Sequence, residues 1–176
     1  MTALATSRRL LLSGVSLSAA FALFHGQLAS AVVTRGDDAM RGGDPNGAIR
    51  LYDRASRLDP GSFVAADRLA FNLALHHDAG SARLAIGVAS RALDAGASDA
   101  LLVDRALAEL QLQRWRDAER DFARAGRIAR DARYDHFAAR AALRFGDRRT
   151  ATNDELRALA DDPSFSPARA LLGHLR

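Results

Sequence analysis

One small-residue pattern occurs four times along this chain of 176 residues and restricts the folds that it can adopt. Four alanines spaced by 37, 33 and 33 residues are each followed seven positions later by another alanine; they are Ala48, Ala85, Ala118 and Ala151. Residues at i, i+4 and i+7 share one face of an α-helix. Self-similarity with a period near 34 residues is typical of stacked helix pairs. The pattern therefore predicts an all-α chain of repeated helical hairpins.

The four copies differ at the fourth residue after the alanine, which is Tyr52, Ala89, Phe122 or Glu155. Because this position shares a helix face with the two alanines, we expect it to point towards the core. The longer spacing between Ala48 and Ala85 predicts that the turn of the second copy is lengthened by about three residues, around residues 76–81.

The first copy carries the clearest local signals. Gly36 is expected inside a helix, where it costs about 1 kcal/mol relative to alanine, so we expect it to permit close approach of a second helix. Asp44 followed by Pro45 is typical of a helix N-cap and first helical position. Pro60 ends the second helix, since the residue before a proline disfavours helical geometry.

In this register the chain resembles the tetratricopeptide repeat family over about residues 30–163. The resemblance implies a right-handed α-solenoid of three to four stacked antiparallel helix pairs, and we expect residues 32–163 to form it. Residues 164–176, with Ser166 and Pro167 opening a helix, are expected to form a C-terminal capping helix that covers the last repeat. A hydrophobic signal or anchor helix is expected to precede the repeats.

The first 31 residues have the order of a secretory signal. Arg8 and Arg9 precede an apolar run from Leu10 to Phe24, and the small residues 29–31 predict cleavage after Ala31. However, residues 10–33 contain no Arg, Asp or Glu and would span about 36 Å as a helix, enough for an uncleaved anchor. Either alternative exports the rest of the chain across the bacterial cytoplasmic membrane. The protein is then periplasmic, free after cleavage or anchored in the inner membrane through residues 10–33. A third alternative is that the segment is a buried helix of a soluble protein.

The sequence offers no set of residues for catalysis. There is no cysteine, which excludes disulfides, thiol nucleophiles and cysteine zinc sites. The five histidines form no metal-binding motif, and phosphate-binding glycine loops and serine-hydrolase motifs are absent. We therefore expect no catalytic residue, no cofactor and no metal. An enzyme would require catalytic groups that converge, such as His136 beside a carboxylate in a deep pocket.

The charge pattern also argues against nucleic acid as a partner. The formal net charge is +4, and acidic and basic residues alternate along most of the chain, which is typical of a solvated helical surface. A run of arginines at 124, 127, 130 and 133 is interrupted by Asp131. A phosphate-binding surface requires a larger cluster than this.

The resemblance implies that a protein partner binds in a groove lined by the first helix of each pair. Carried over by register, the groove residues are Met40, Arg41, Phe71, Leu75, Leu107, Gln111, Arg133, His136, Arg140 and Arg144. The groove is then apolar in the middle and basic at its C-terminal end, where arginine suits a carboxylate. The alternative is that the apolar residues pack between helices and the arginines are solvated.

These observations predict a non-catalytic scaffold or adaptor for protein–protein interaction in the bacterial cell envelope. The alternative is an accessory subunit of an inner-membrane complex, held by an uncleaved N-terminal helix.

Overall fold

A computed structural model describes residues 3–96 and 98–175, and for residues 3–18, 20 and 21 it describes the backbone only. The described residues form α-helices joined by short turns, without a strand among them, so the all-α prediction is confirmed. The helices are α1 (Ala3–Arg41), α2 (Pro45–Leu58), α3 (Phe63–Ala74), α4 (Ala79–Ala95), α5 (Asp99–Gln111), α6 (Trp115–Ala129), α7 (Ala132–Arg144), α8 (Arg148–Asp161) and α9 (Ser166–Leu175). The chain divides into two compact units, residues 1–65 and residues 66–176.

The first unit is a hairpin of α1 and α2. Gly43 has a φ of +80°, a conformation that glycine adopts without strain, and it closes the turn between the two helices. The Asp44 side chain accepts a hydrogen bond from the Gly47 amide at 2.7 Å, and Pro45 begins α2, as the sequence predicts. The turn thus satisfies a backbone donor that the helix start would otherwise leave unpaired.

Close approach of the two helices depends on Gly36. Tyr52 of α2 is almost fully buried, and its hydroxyl donates a hydrogen bond to Asp37 at 2.8 Å. A Cβ added at Gly36 would lie 2.8 Å from Cδ1 of the Tyr52 ring, well inside van der Waals contact. The prediction that Gly36 permits close helix packing is therefore confirmed.

Helix α1 joins the predicted N-terminal segment to the first repeat helix without a break. Ala29, Val32 and Val33 are buried, and a Cβ at Gly26 would lie 3.8 Å from the Asp59 carboxylate, so residues 26–33 pack within the first unit. Phe24, by contrast, is 65% exposed. Most side chains of the apolar run at 10–24, together with Met1 and Thr2, lie outside the described residues. A search of the described residues finds no helix with the length and apolar character needed to cross a membrane.

The second unit continues the alternation of helices from α4 to α9, and each helix packs against the next. The predicted i, i+4, i+7 face is buried in both units; it comprises Ala48, Tyr52, Ala55, Ala85, Ala89, Ala92, Ala118, Phe122, Ala125, Ala151, Glu155 and Ala158. One core cluster joins Ala106 of α5, Phe122 of α6 and Ala138 of α7. Small residues at these contacts let neighbouring backbones approach closely.

The last helix closes the second unit as expected. Ala168 of α9 packs with Ala132 and Ala158, while Leu171 and Leu175 pack against the alanines of α7 and α8. The Arg148 guanidinium donates a hydrogen bond to the Leu175 carbonyl at 3.0 Å. The predicted capping helix is therefore present and fixed at both ends.

The extra residues of the second repeat lie near the predicted place, but most of them extend α4, so the prediction of a lengthened turn is wrong. Helix α3 ends at Ala74 and α4 begins at Ala79, which leaves a connection only one residue longer than the three-residue turns between α1 and α2, α5 and α6, and α7 and α8. Ala85 is the seventh residue of α4, whereas Ala118 is the fourth of α6. Asp78 caps the lengthened helix by accepting from the Gly80 and Ser81 amides at 2.8 and 2.9 Å, so the extra residues form a first helical turn.

Two ionic contacts cross between helices of the second unit. Arg105 of α5 donates two hydrogen bonds to Asp121 of α6, at 2.6 and 2.9 Å, and a third to Ser90 of α4 at 3.0 Å. Arg157 of α8 contacts the buried carboxylates of Asp135, at 3.1 Å, and Asp154. Burial raises the pKa of Asp135 and of Asp154, and the Arg157 charge opposes that shift.

Candidate partner-binding groove

An apolar depression of about 330 Å³ lies between α5, α6 and α7 in the second unit, and we call it the first depression. Its apolar lining consists of Leu107 and Leu110 from α5, Trp115 and Phe122 from α6, and Phe137 and Ala141 from α7. Phe122 and Phe137 are in contact, with ring centroids 5.5 Å apart. Because Phe137 remains 38% exposed, a ligand can reach the aromatic floor.

A second depression, of about 500 Å³, lies between α7 and the capping helix α9. It is lined by His136 and Leu143 of α7 and by Pro167, Ala170, Leu171 and His174 of α9. Its polar groups are these two histidines together with Arg140 and Arg144, and the rest of its lining is apolar.

Arg140 and Arg144 line both depressions, and we call this pair the arginine ridge. The two residues are four apart on α7, so they project from the same face of the helix. The Arg144 guanidinium lies 4.6 Å from the centroid of the Trp115 ring, a cation–π contact that orients the charge. In the described part of the chain, neither arginine forms an ion pair with an acidic side chain. The ridge therefore offers two positive charges to a ligand.

His136 is held at the edge of the second depression by a buried acid. Its Nδ1 lies 2.6 Å from Oε1 of Glu155, which is fully buried at the position that Tyr52 and Phe122 occupy in other repeats. Burial raises the pKa of Glu155 to about 7, with Asp154 and Asp135 adding to the shift. Burial lowers the pKa of His136, and the nearby Arg140 charge lowers it further.

Both shifts favour the neutral forms of this pair. The described residues that line the depression include no hydroxyl or thiol nucleophile. The histidine–carboxylate pair that an enzyme would need is present, but the rest of a catalytic site is not found among these residues.

Comparison with known proteins identifies solved structures only. No protein-family model matches the chain, and no curated protein matches it. A crystal structure of MamA aligns with a TM-score of 0.72 and 19% identity, over 85% of this chain and 81% of that one. MamA residues 41 to the end from Desulfovibrio magneticus RS-1 align with a TM-score of 0.69 and 17% identity, over 84% and 82% of the two chains. The Cut9–Hcn1 hetero-tetramer of the APC/C aligns with a TM-score of 0.62 and 18% identity, over 82% of this chain and 29% of that one.

The chain has a tetratricopeptide-type repeat fold. The alanine positions that predicted this fold are therefore the positions at which the helices pack. In the tetratricopeptide arrangement α3, α5 and α7 are the first helices of their pairs, and the two depressions lie along α5 and α7.

Four of the ten predicted groove residues meet at the depressions: Leu107, His136, Arg140 and Arg144. Phe71 and Leu75 are exposed at and just beyond the end of α3, at 43% and 47%. Both remain available to extend an apolar surface.

The remaining four have other positions or partners. Gln111 donates a hydrogen bond from its side chain to the Ala74 carbonyl and so links the ends of α5 and α3. Arg133 is paired with Asp131, the N-cap residue of its own helix, at 2.5 Å. Met40 and Arg41 belong to the first unit, where Arg41 is paired with Asp38.

Several lining residues were not predicted. Trp115 and Phe122 belong to α6, a second helix of its pair, and their rings reach the groove because α5 and α7 both pack against α6. Leu171 and His174 come from the capping helix, which has no counterpart inside the repeats. The equivalent position in the other repeats is aromatic or small, so the acidic residue Glu155 is the one feature of the sequence that points to the His136 contact.

Proposed function

We propose that this protein is a non-catalytic interaction scaffold that binds a segment of a partner protein in the groove of its second unit. The observation that carries the proposal is the arginine ridge, whose two charges lie between apolar depressions. When a bound ligand excludes water, a guanidinium group without a counter-charge destabilises the complex. The groove therefore favours a segment that carries an acidic side chain or another carboxylate.

The chemistry of the ridge supports a carboxylate in particular. Guanidinium groups bind carboxylates through paired hydrogen bonds, and the Trp115 contact holds the Arg144 guanidinium at the first depression. The apolar depressions add burial, which a free anion would not use. One matched structure, Cut9 with Hcn1, is itself an assembly of different proteins, which is consistent with a protein partner.

A charge reversal tests this function. The protein with both Arg140→Glu and Arg144→Glu is compared with wild type in affinity capture from the native host, read out by quantitative mass spectrometry. The matched control reverses Arg120 and Arg124, which are also four residues apart but lie on α6 outside both depressions. We expect partners to be lost only with the ridge variant. Equal recovery by both variants would overturn the proposal.

We also propose that the protein acts in the bacterial cell envelope and that its N-terminal helix is retained. The basic pair followed by an apolar run supports export. The burial of Ala29 and the contact position of Gly26 support retention, because cleavage after Ala31 would remove residues that pack in the first unit. A retained helix would suit an accessory subunit of an inner-membrane complex.

Intact-mass measurement of the native protein, with membrane and soluble fractions analysed separately, tests this setting. A full-length mass in the membrane fraction is expected. A soluble species beginning at Val32 would show that the segment is removed, and the protein would then be a free periplasmic adaptor.

A further inference from the structure

The two depressions meet at the arginine ridge, the first lined also by α5 and α6 and the second also by α9. The apolar lining of the second depression comes mainly from the capping helix, through Pro167, Ala170 and Leu171. A ligand that places a carboxylate on the ridge therefore meets an apolar surface in each depression.

The capping helix is held firmly enough to serve as a binding surface. Leu171 and Leu175 pack against the alanines of α7 and α8, and Arg148 bonds the Leu175 carbonyl. Arg169 donates to the Pro163 carbonyl at 2.6 Å, which fixes the connection before the helix. The helix that forms this wall is thus packed against the rest of the second unit.

We propose that the partner segment carries an acidic residue between two apolar side chains, one for each depression, and that the second apolar side chain is bound by α9. This inference rests on the proposed function and specifies its partner. Charge complementarity selects the acidic residue, and the two apolar linings select its neighbours. His136 also lines the second depression, as a polar group for the backbone of the same segment.

A peptide series tests the inference directly. Fluorescein-labelled Gly/Ser peptides each carry one glutamate. One-sided peptides have a leucine either N-terminal or C-terminal to the glutamate, two-sided peptides have a leucine on both sides, and a control peptide has none. Each leucine is placed one to three residues from the glutamate. Affinities are measured by fluorescence anisotropy with the full chain. We expect the best two-sided peptide to bind about tenfold more tightly than the best one-sided peptide, since burial of one aliphatic side chain has that effect.

A variant that fills the second depression separates it from the ridge. Ala170 is exposed and lines this depression, so Ala170→Phe occupies the space without altering the core. Ala160→Phe is the matched control, because Ala160 is an exposed helical alanine outside both depressions. We expect Ala170→Phe to weaken the binding of two-sided peptides until their affinity equals that of one-sided peptides. We expect Ala160→Phe to leave the affinities of all peptides unchanged.

The outcomes distinguish this inference from the function on which it rests. If two-sided and one-sided peptides bind equally, or if Ala170→Phe weakens every peptide alike, the inference is overturned while the ridge function stands. If no peptide binds, or if Arg140→Glu with Arg144→Glu leaves binding unchanged, both are overturned.

Discussion

The Tyr52 ring occupies the space that a side chain at residue 36 would need, because a Cβ there would lie 2.8 Å from Cδ1 of the ring. Tyr52 cannot move away easily, since it is buried and its hydroxyl is bonded to Asp37. We expect Gly36→Ala to lower the free energy of unfolding by about 1–3 kcal/mol, as overpacking does, measured by urea denaturation.

The matched control for this substitution is Gly173→Ala in α9, where no atom lies within 4 Å of an added Cβ. There we expect no loss and a gain of up to about 1 kcal/mol from helix propensity. Equal effects at the two positions would show that Gly36 is not required for close packing.

Arg157 compensates two buried carboxylates, Asp135 and Asp154. Arg157→Met removes the charge but keeps much of the side-chain length, so we expect a loss of about 3 kcal/mol in the free energy of unfolding. Arg120→Met is the control, because its ion pair with Asp117 is exposed and is expected to contribute less than about 1 kcal/mol. A similar small loss for both variants would contradict the prediction.

Asp104 of α5 is buried, and burial, with Asp67 adding, raises the pKa of its carboxyl to about 8. In the unfolded chain the carboxyl titrates near pH 4. Between these values the folded state binds more protons than the unfolded state, so the carboxyl contributes stability at low pH that is lost as pH rises from about 4 to about 8. Asp104→Asn removes this dependence.

We therefore expect Asp104→Asn to become more stable relative to wild type as pH rises, with the difference widening between pH 5 and pH 8 in urea denaturation. Burial also raises the pKa of Glu109 to about 8. Because Glu109 is present in both proteins, its contribution cancels in the difference between their free energies of unfolding. Asp53→Asn, on the exposed face of α2, serves as the control. A difference that stays constant with pH would refute the assignment.

Trp115 is the only tryptophan in the chain, and the Arg144 guanidinium lies over its ring. Its fluorescence therefore reports on the ridge. We expect the two-sided glutamate peptides to change the emission of wild type and of Arg149→Met, whose arginine is outside both depressions. Arg144→Met should abolish the change. An unchanged wild-type spectrum on peptide binding would place the peptide elsewhere.

The repeat architecture could be predicted because helix packing leaves a periodic trace in the sequence. Small residues such as Gly36 and Ala48 are needed where two helices approach closely, and the N-cap at Asp44 depends on local chemistry. The insertion near His76 was assigned to the turn because length alone does not say whether extra residues extend a loop or a helix. Asp78, followed by Gly80 and Ser81, was the capping signal that placed them in α4.

The groove was predictable only in part, for a different physical reason. Register identifies the exposed positions of α5 and α7, and so it found Leu107, Arg140 and Arg144. It does not say which side chains form internal bonds, and Gln111 and Arg133 are used in this way. Nor does it reveal contributions from α6 and α9, since Trp115 and Leu171 reach the groove through tertiary packing.

The ionic contacts between helices have a consequence for alignment. Helices that meet mainly through alanine present nearly uniform surfaces, so sliding one past another by a turn would change apolar burial very little. Such a slip would leave Asp121 without Arg105, and Asp135 without Arg157, in a poorly solvated interior. The charged pairs therefore fix the axial register of neighbouring helices, because the small residues alone would tolerate several registers.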